Sequence, residues 1–148
     1  MKVTDILAKK GNQVWSIREN NTIHDALGML VDKKIGALVV LDQKNEISGI
    51  VSERDIIREC FKNSKNIQTI LVGEIMTRKL IVGSPEDEVD YIMGIMTKNH
   101  IRHVPIVEKG KLQGLVSIGD VVKALLQYKE YENHYLKDYM FGTGPGGR

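Results

Sequence analysis

Gly49-Ile50-Val51-Ser52-Glu53-Arg54-Asp55 returns as Gly114-Leu115-Val116-Ser117-Ile118-Gly119-Asp120, 65 positions later. Each segment is an aliphatic run that ends on a serine, with an aspartate three residues on. The duplication extends well beyond these segments. Val3-Thr4-Asp5-Ile6-Leu7 parallels Val72-Gly73-Glu74-Ile75-Met76. The stretch from Ile23 to Leu30 parallels Val89 to Met96, and Lys34 to Val40 parallels His100 to Ile106. The first copy runs over residues 3–62 and the second over 72–127, joined by a polar linker at 63–71. Two copies are too few for an open solenoid, where neighbours stack indefinitely. A closed pair related by a pseudo-twofold axis is the expected arrangement.

Hydrophobic periodicity assigns the elements. In residues 22–33, Ile23, Ala26, Leu27, Leu30 and Val31 form a helical stripe, with Thr22 as N-cap and Asp25 three residues on. Residues 37–41 and 47–51 are short β-branched runs separated by the polar turn 42–46, which makes a hairpin. A helix opens at Ser52 and runs to about Phe61. The second copy repeats the order: helix 86–98, strand 104–107, turn 108–111, strand 112–116, helix from 118. Each copy reads β-α-β-β-α, an α+β class in which the two small sheets pack on each other. The last helix continues to about Met140 and carries Tyr128, Tyr131, Tyr135 and Tyr139 on one face. That face is either packed on its own domain or a subunit contact, since tyrosine suits half-buried interfaces. Residues 141–148 are glycine-rich and expected to be disordered.

Composition narrows the functional classes. With 148 residues and 42% hydrophobic content, the chain can bury one core or two joined half-cores. Twenty-one basic and nineteen acidic side chains leave a net charge of +2. Nothing there suggests a nucleic-acid or membrane partner. Cys60 is alone, so neither a disulfide framework nor a CxxC metal site is expected. His100 and His103 lack further ligands at metal-site spacing, and no metal requirement is expected. No apolar run spans a bilayer and no leader stretch opens the chain, so a cytoplasmic location is expected. An organellar matrix is the alternative if a transit peptide has been removed.

Taken together, the paired Gly-h-h-Ser-x-x-Asp segments (h, apolar), Glu74-Ile75-Met76-Thr77 and Ile101-Arg102-His103-Val104-Pro105-Ile106 resemble a tandem CBS-domain pair (a Bateman module). This is the regulatory repeat named after cystathionine β-synthase. The resemblance covers nearly the whole chain and is greatest to small stand-alone pairs without an enzyme or channel domain. It implies adenosine-containing ligands (AMP, ADP, ATP, S-adenosylmethionine or NAD) bound in clefts between the copies. It also implies a homodimer, and a regulated partner that the chain does not name.

On that resemblance, Asp55 and Asp120 would each accept from the vicinal hydroxyls of a ribose. Ser52 and Ser117, one turn earlier, would meet a phosphate with the free N–H groups of the helix start, and Ile118 adjoins the second of these corners. The bland alternative is that Ser-x-x-Asp only closes the helix end, as a capping box does. Both can hold together. Arg102 and His103, ahead of Val104-Pro105, offer phosphate donors in copy two, where copy one has Gly36 and Ala37. Copy one has Arg54 beside its aspartate, where copy two has Gly119. The two sites are therefore expected to be unequal. By family position the adenine walls are Trp15, Ser16 and Ile17 with Ala37 in one site, and Ile81, Val82 and His103 in the other.

No nucleophile–base pair, facing carboxylates or phosphate-loop lysine is legible, so an enzyme is not expected. A ligand-sensing regulatory module is the main reading. An adaptor dimer with vestigial clefts, acting through its C-terminal helix, is the alternative; a nucleotide hydrolase is the remaining one.

Overall fold

The computed structural model describes residues 1–62 and 66–140, without the side chains of Tyr131 and residues 135–140. Helix α1 (Val3–Lys10) leads into strand β1 (Ser16–Arg18), helix α2 (Ile23–Lys33), the hairpin β2 (Ala37–Leu41) and β3 (Ile47–Ser52), and helix α3 (Glu53–Lys62). The second copy follows as helix α4 (Val72–Ile75), helix α5 (Val89–Asn99), the hairpin β4 (His103–Glu108) and β5 (Lys111–Ser117), and the long helix α6 (Ile118–Met140).

Local chemistry accounts for most boundaries. Thr22 caps α2 reciprocally with Asp25: the Asp25 N–H donates to the threonine hydroxyl at 3.1 Å, and the Thr22 N–H to the carboxylate at 3.0 Å. α2 and α5 end on left-handed residues at equivalent places, Lys34 (φ 55°) and His100 (φ 54°). β1 joins β2 in parallel and β2 joins β3 antiparallel, whereas β4 and β5 form a two-stranded sheet. The expected first strand of copy two is thus reduced to one parallel bridge, Gly83 to Ile106. The reason is local. The Ser84 N–H turns onto the Asp87 carboxylate at 2.8 Å, and Pro85 has no N–H to extend a ladder. The same turn delays α5, which starts at Val89 rather than at 86.

β2 is buried on both faces. Leu38 and Val40 point into the first core, while Ala37 and Val39 point the other way and are equally covered. Pro105, the counterpart of Val39, is buried in β4. Ala37, Val39 and Pro105 are thus covered although they belong to neither of the two cores.

α1 and α4 were not legible as helices, and each joins the core of the opposite copy. Val72 and Met76 pack with Ile17, Leu30, Val40 and Ile56 of copy one. Val3, Ile6 and Leu7 pack with Ile92, Met96, Val104 and Val116 of copy two. Backbone bonds pin both. Val3 and Thr4 donate to the carbonyls of Asp87 and Pro85 at 2.9 and 3.1 Å, and Val72 and Gly73 donate to those of Asn21 and Glu19 at 2.8 and 2.9 Å. The motif glycines explain themselves here. A Cβ on Gly49 would lie 2.8 Å from the Met76 sulfur and 2.8 Å from the Thr77 carbonyl, and one on Gly114 would lie 2.7 Å from Leu7. The linker contributes too: Ile67 and Ile70 pack on the first core. Of the four tail tyrosines, Tyr128 is exposed. The side chains of Tyr131, Tyr135 and Tyr139, and the expected disordered tail 141–148, lie outside the described residues.

Candidate functional site

Each repeated motif ends a hairpin strand and opens a helix, and the pairing places the two corners equivalently. Ala37 pairs with Ser52 and His103 with Ser117. The Glu53 N–H donates to the Gly36 carbonyl at 3.0 Å, and the Ile118 N–H to the Arg102 carbonyl at 2.8 Å. Within each corner the capping-box geometry is present. The Ser52 N–H and hydroxyl donate to Asp55 Oδ2 at 2.9 and 3.0 Å, and the Asp55 N–H returns to the hydroxyl at 3.2 Å. Ser117 and Asp120 repeat the backbone pair at 2.9 and 3.1 Å.

This capping changes what the corner can offer a ligand. The Ser52 hydroxyl proton is committed to Asp55, and the N–H groups of Ser52, Glu53 and Asp55 all have partners. Three N–H groups at the helix start are therefore already taken within the protein, and the corner is less open to an anion than expected. Asp55 Oδ1 faces the Arg58 guanidinium at 3.8 Å, too long for a hydrogen bond.

A cleft of about 240 Å³ opens over this corner. Copy one supplies Ser52, Arg54, Asp55 and Arg58, with Gly36 and Ile50; copy two supplies Thr77, Lys79, Leu80, Ile81 and the segment from His100 to His103. The floor is a two-bond bridge: the Ile50 N–H donates to the Thr77 carbonyl at 3.0 Å and the Thr77 N–H to that of Ile50 at 2.8 Å. The sequence grouping is corrected here. Arg102 and His103 belong with Asp55 and Arg54 in one mixed cleft, rather than with Asp120. The cleft's carboxylate comes from one copy and its apolar wall, Leu80, Ile81 and Ile101, from the other.

His103 lies between the two corners. Its ring would be 3.4 Å from a Cβ on Gly36, so the glycine leaves it room. Burial, then the Lys10 ammonium, hold its imidazole below the ordinary value against the pull of Asp120 and Glu53.

The other expected residues are placed differently. Val104 and Pro105 are buried in β4, Val104 in the second core, and Val82 is exposed. None of them lines the cleft. Ala37 is buried in β2, and Ile118 packs against the second core. Ser16 and Ile17 line a shallow depression with Arg18 and Asn21 at the β1 edge, and Lys33 sits 4.3 Å over the Trp15 ring. Asp120 instead borders a groove of about 470 Å³ between α1 and α6, lined by residues such as Asp5, Lys10, Ala124 and Tyr128. Its carboxylate already holds a partner: Lys10 Nζ donates to Oδ2 at 2.6 Å. Burial pushes this carboxyl up, but Lys10 and the Ser117 donors outweigh it and keep the pKa below the usual range. Sequence reasoning missed Lys10 and Lys79. Each lies three residues after a side chain that meets a motif glycine, Leu7 on Gly114 and Met76 on Gly49, but Lys10 ends helix α1 whereas Lys79 lies beyond the end of α4.

Among the described residues there is no group of three or more histidine, cysteine, aspartate or glutamate side chains that could hold a metal ion. No helix there is long and apolar enough to cross a membrane.

A family model described as CBS domain matches residues 3–62 and 72–127. The Arabidopsis thaliana "CBS domain-containing protein CBSX3, mitochondrial" is 34% identical over 149 aligned residues, which span 95% of this chain and 72% of that protein. A solved CBS-domain protein of Agrobacterium tumefaciens superposes with a TM-score of 0.81 at 37% identity, covering 83% of this chain and 92% of that one. A CBS domain pair solved in complex with 5-methylthioadenosine and S-adenosyl-L-methionine superposes at 0.76 with 26% identity, over 86% of this chain and 98% of that one.

Proposed function

This chain belongs to the CBS-domain family, a pair of regulatory repeats, and on that premise we propose that it is a non-catalytic sensor binding an adenine nucleotide over Asp55. The observation that carries this is the charge of the cleft. Arg54, Arg58, Lys79 and Arg102 line it, against Glu53 and Asp55. The cation surplus suits a ligand with phosphates: AMP, ADP, ATP or NAD. Methylthioadenosine has no phosphate, and S-adenosylmethionine adds a positive sulfonium. Asp55 Oδ1 takes a ribose hydroxyl, Leu80, Ile81 and Ile101 wall the base, and the phosphates lie at the cationic mouth. A cleft of about 240 Å³ is smaller than most drug-sized sites (~300–1,000 Å³), so part of the ligand protrudes. No metal is needed for this recognition, and no reaction is assigned. The signal is a shift between arrangements of the two copies, read by a partner protein. The setting is any compartment rich in adenine nucleotides, the cytoplasm first.

Calorimetric titration with ATP, AMP, NAD, adenosine and S-adenosylmethionine tests this. A charge-assisted hydrogen bond contributes ~1.5–3 kcal/mol, so Arg102→Met should weaken ATP about 10–100-fold and adenosine far less. Asp55→Ala should weaken all of the adenosine ligands. Equal affinity for adenosine and ATP, or full binding by Asp55→Ala, would refute the assignment.

A homodimer is proposed alongside, as the body of the adaptor alternative. Ile57 and Phe61 on α3 are 67% and 90% exposed, and their counterparts Val122 and Leu126 on α6 are 42% and 62% exposed. Two equivalent apolar rows on one pseudosymmetric body suit self-association. Phe61→Lys with Leu126→Lys should halve the mass measured by light scattering; an unchanged mass would remove this interface.

A further inference from the structure

The two corners have the same architecture but not the same occupancy. At the first, Lys79 lines the cleft, and the Arg58 guanidinium stands 3.8 Å from Asp55 Oδ1, beyond hydrogen-bond reach. At the second, Lys10 from the end of α1 lies on the carboxylate, and its ammonium donates to Asp120 Oδ2 and to the Leu115 carbonyl, both at 2.6 Å. Leu115 is the counterpart of Ile50, which floors the first cleft. The ammonium thus spans the acceptor and the floor of the second corner, where a ligand's donors would go. The groove of about 470 Å³ beside it takes in Lys10, Asp120 and Lys123 on the α1–α6 side, so the pair stands at a wall of open space rather than in packed core. The pair is also half-sheltered: the Lys10 and Asp120 side chains are 36% and 24% exposed, so water screens it less than a free surface pair. The lysine is anchored from behind, since α1 buries Val3, Ile6 and Leu7 in the second core.

We propose that Lys10 is a built-in stand-in for ligand that keeps the Asp120 corner closed, so that each chain binds one adenine nucleotide at Asp55 until Lys10 is released. This rests on the nucleotide reading of the Asp55 cleft. Release needs only a side-chain swing at the last residue of α1, beside Gly11, whose φ of 92° breaks the helix. The second corner is then a reserve site, opened without moving the backbone of α1.

Titration calorimetry with ATP tests this on the full chain. Wild type should bind one ATP, and Lys10→Met and Lys10→Gln should each bind two. The Asp55→Ala/Lys10→Met chain should bind one, lost again when Asp120→Ala is added. Two ATP per wild-type chain, or one per chain in both folded Lys10 variants, overturns the closed corner while leaving the Asp55 site standing. Absence of ATP binding in every chain removes the nucleotide reading and this inference with it. Loss of binding in Asp55→Ala alone, with one site regained on adding Lys10→Met, supports both.

Discussion

Gly49→Ala is expected to destabilise the protein, and its cost can be worked from the contacts. The new methyl carbon would meet the Met76 sulfur and the Thr77 carbonyl oxygen, both at 2.8 Å, and Met76 Cγ at 3.1 Å. Methionine can swing aside, but the Thr77 carbonyl cannot, because it accepts from Ile50 across the bridge that floors the cleft. Overpacking of this kind costs ~1–3 kcal/mol. Alanine recovers ~0.4–1 kcal/mol by restricting the unfolded chain. The net loss is ~1–2 kcal/mol, which lowers the melting temperature by ~2–8 °C for a domain of this size. Two internal comparisons sharpen the test. Gly114→Ala meets only the tip of the Leu7 side chain at 2.7 Å, so it should cost less. Gly28→Ala, exposed in the middle of α2 with nothing within 4 Å, should stabilise by ~0.5–1 kcal/mol. Urea titrations of the three variants give the order directly. A Gly49→Ala protein at least as stable as wild type, or a larger loss in Gly114→Ala, would refute the close-approach account of the motif glycine.

His103 makes stability depend on pH. Burial, with Lys10, lowers its folded-state pKa, so the unfolded chain binds a proton that the folded chain refuses. Stability should therefore fall as pH is lowered from about 7.5 to about 5.5, through the ordinary imidazole range, and His103→Asn should flatten that slope in thermal melts; an identical slope in the variant assigns the effect elsewhere. Leu7→Ala should cost ~2–5 kcal/mol, and its lost hydrogen-exchange protection should fall first in α5, β4 and β5 of the other copy. Loss confined to copy one would contradict the exchanged helix.

Local patterns carried much of this fold into view. The capping pair Thr22–Asp25, the apolar stripe of α2 and the turns between β-branched runs act within a few residues, so periodicity exposes them. The repeated serine–aspartate corner was legible too, including the cap that its spacing implied. What escaped is non-local. α1 and α4 are eight and four residues long, too short for periodicity to signal firmly, and the core that each joins depends on its distant partners. The first strand of copy two was lost to a glycine–serine–proline turn. Membership of the second repeat groups Arg102 and His103 with Asp120, whereas the fold carries them across to the cleft over Asp55. The Lys10–Asp120 pair joins residues 110 positions apart, and no spacing rule relates them.

The exchange of α1 and α4 limits how such a chain could have arisen and how it can be cut. A fragment ending at Lys62 would keep one sheet yet lack Val72 and Met76, leaving a hole in its core, while its own Val3, Ile6 and Leu7 would have nowhere to dock. Two identical fragments could each repair the other by trading their leading helices. A single-repeat ancestor of this architecture is then a reciprocal dimer from the start, and joining two genes end to end would merely tether partners that already embraced. Coexpressed halves should reassemble for the same reason, each incomplete as a monomer and folded once paired.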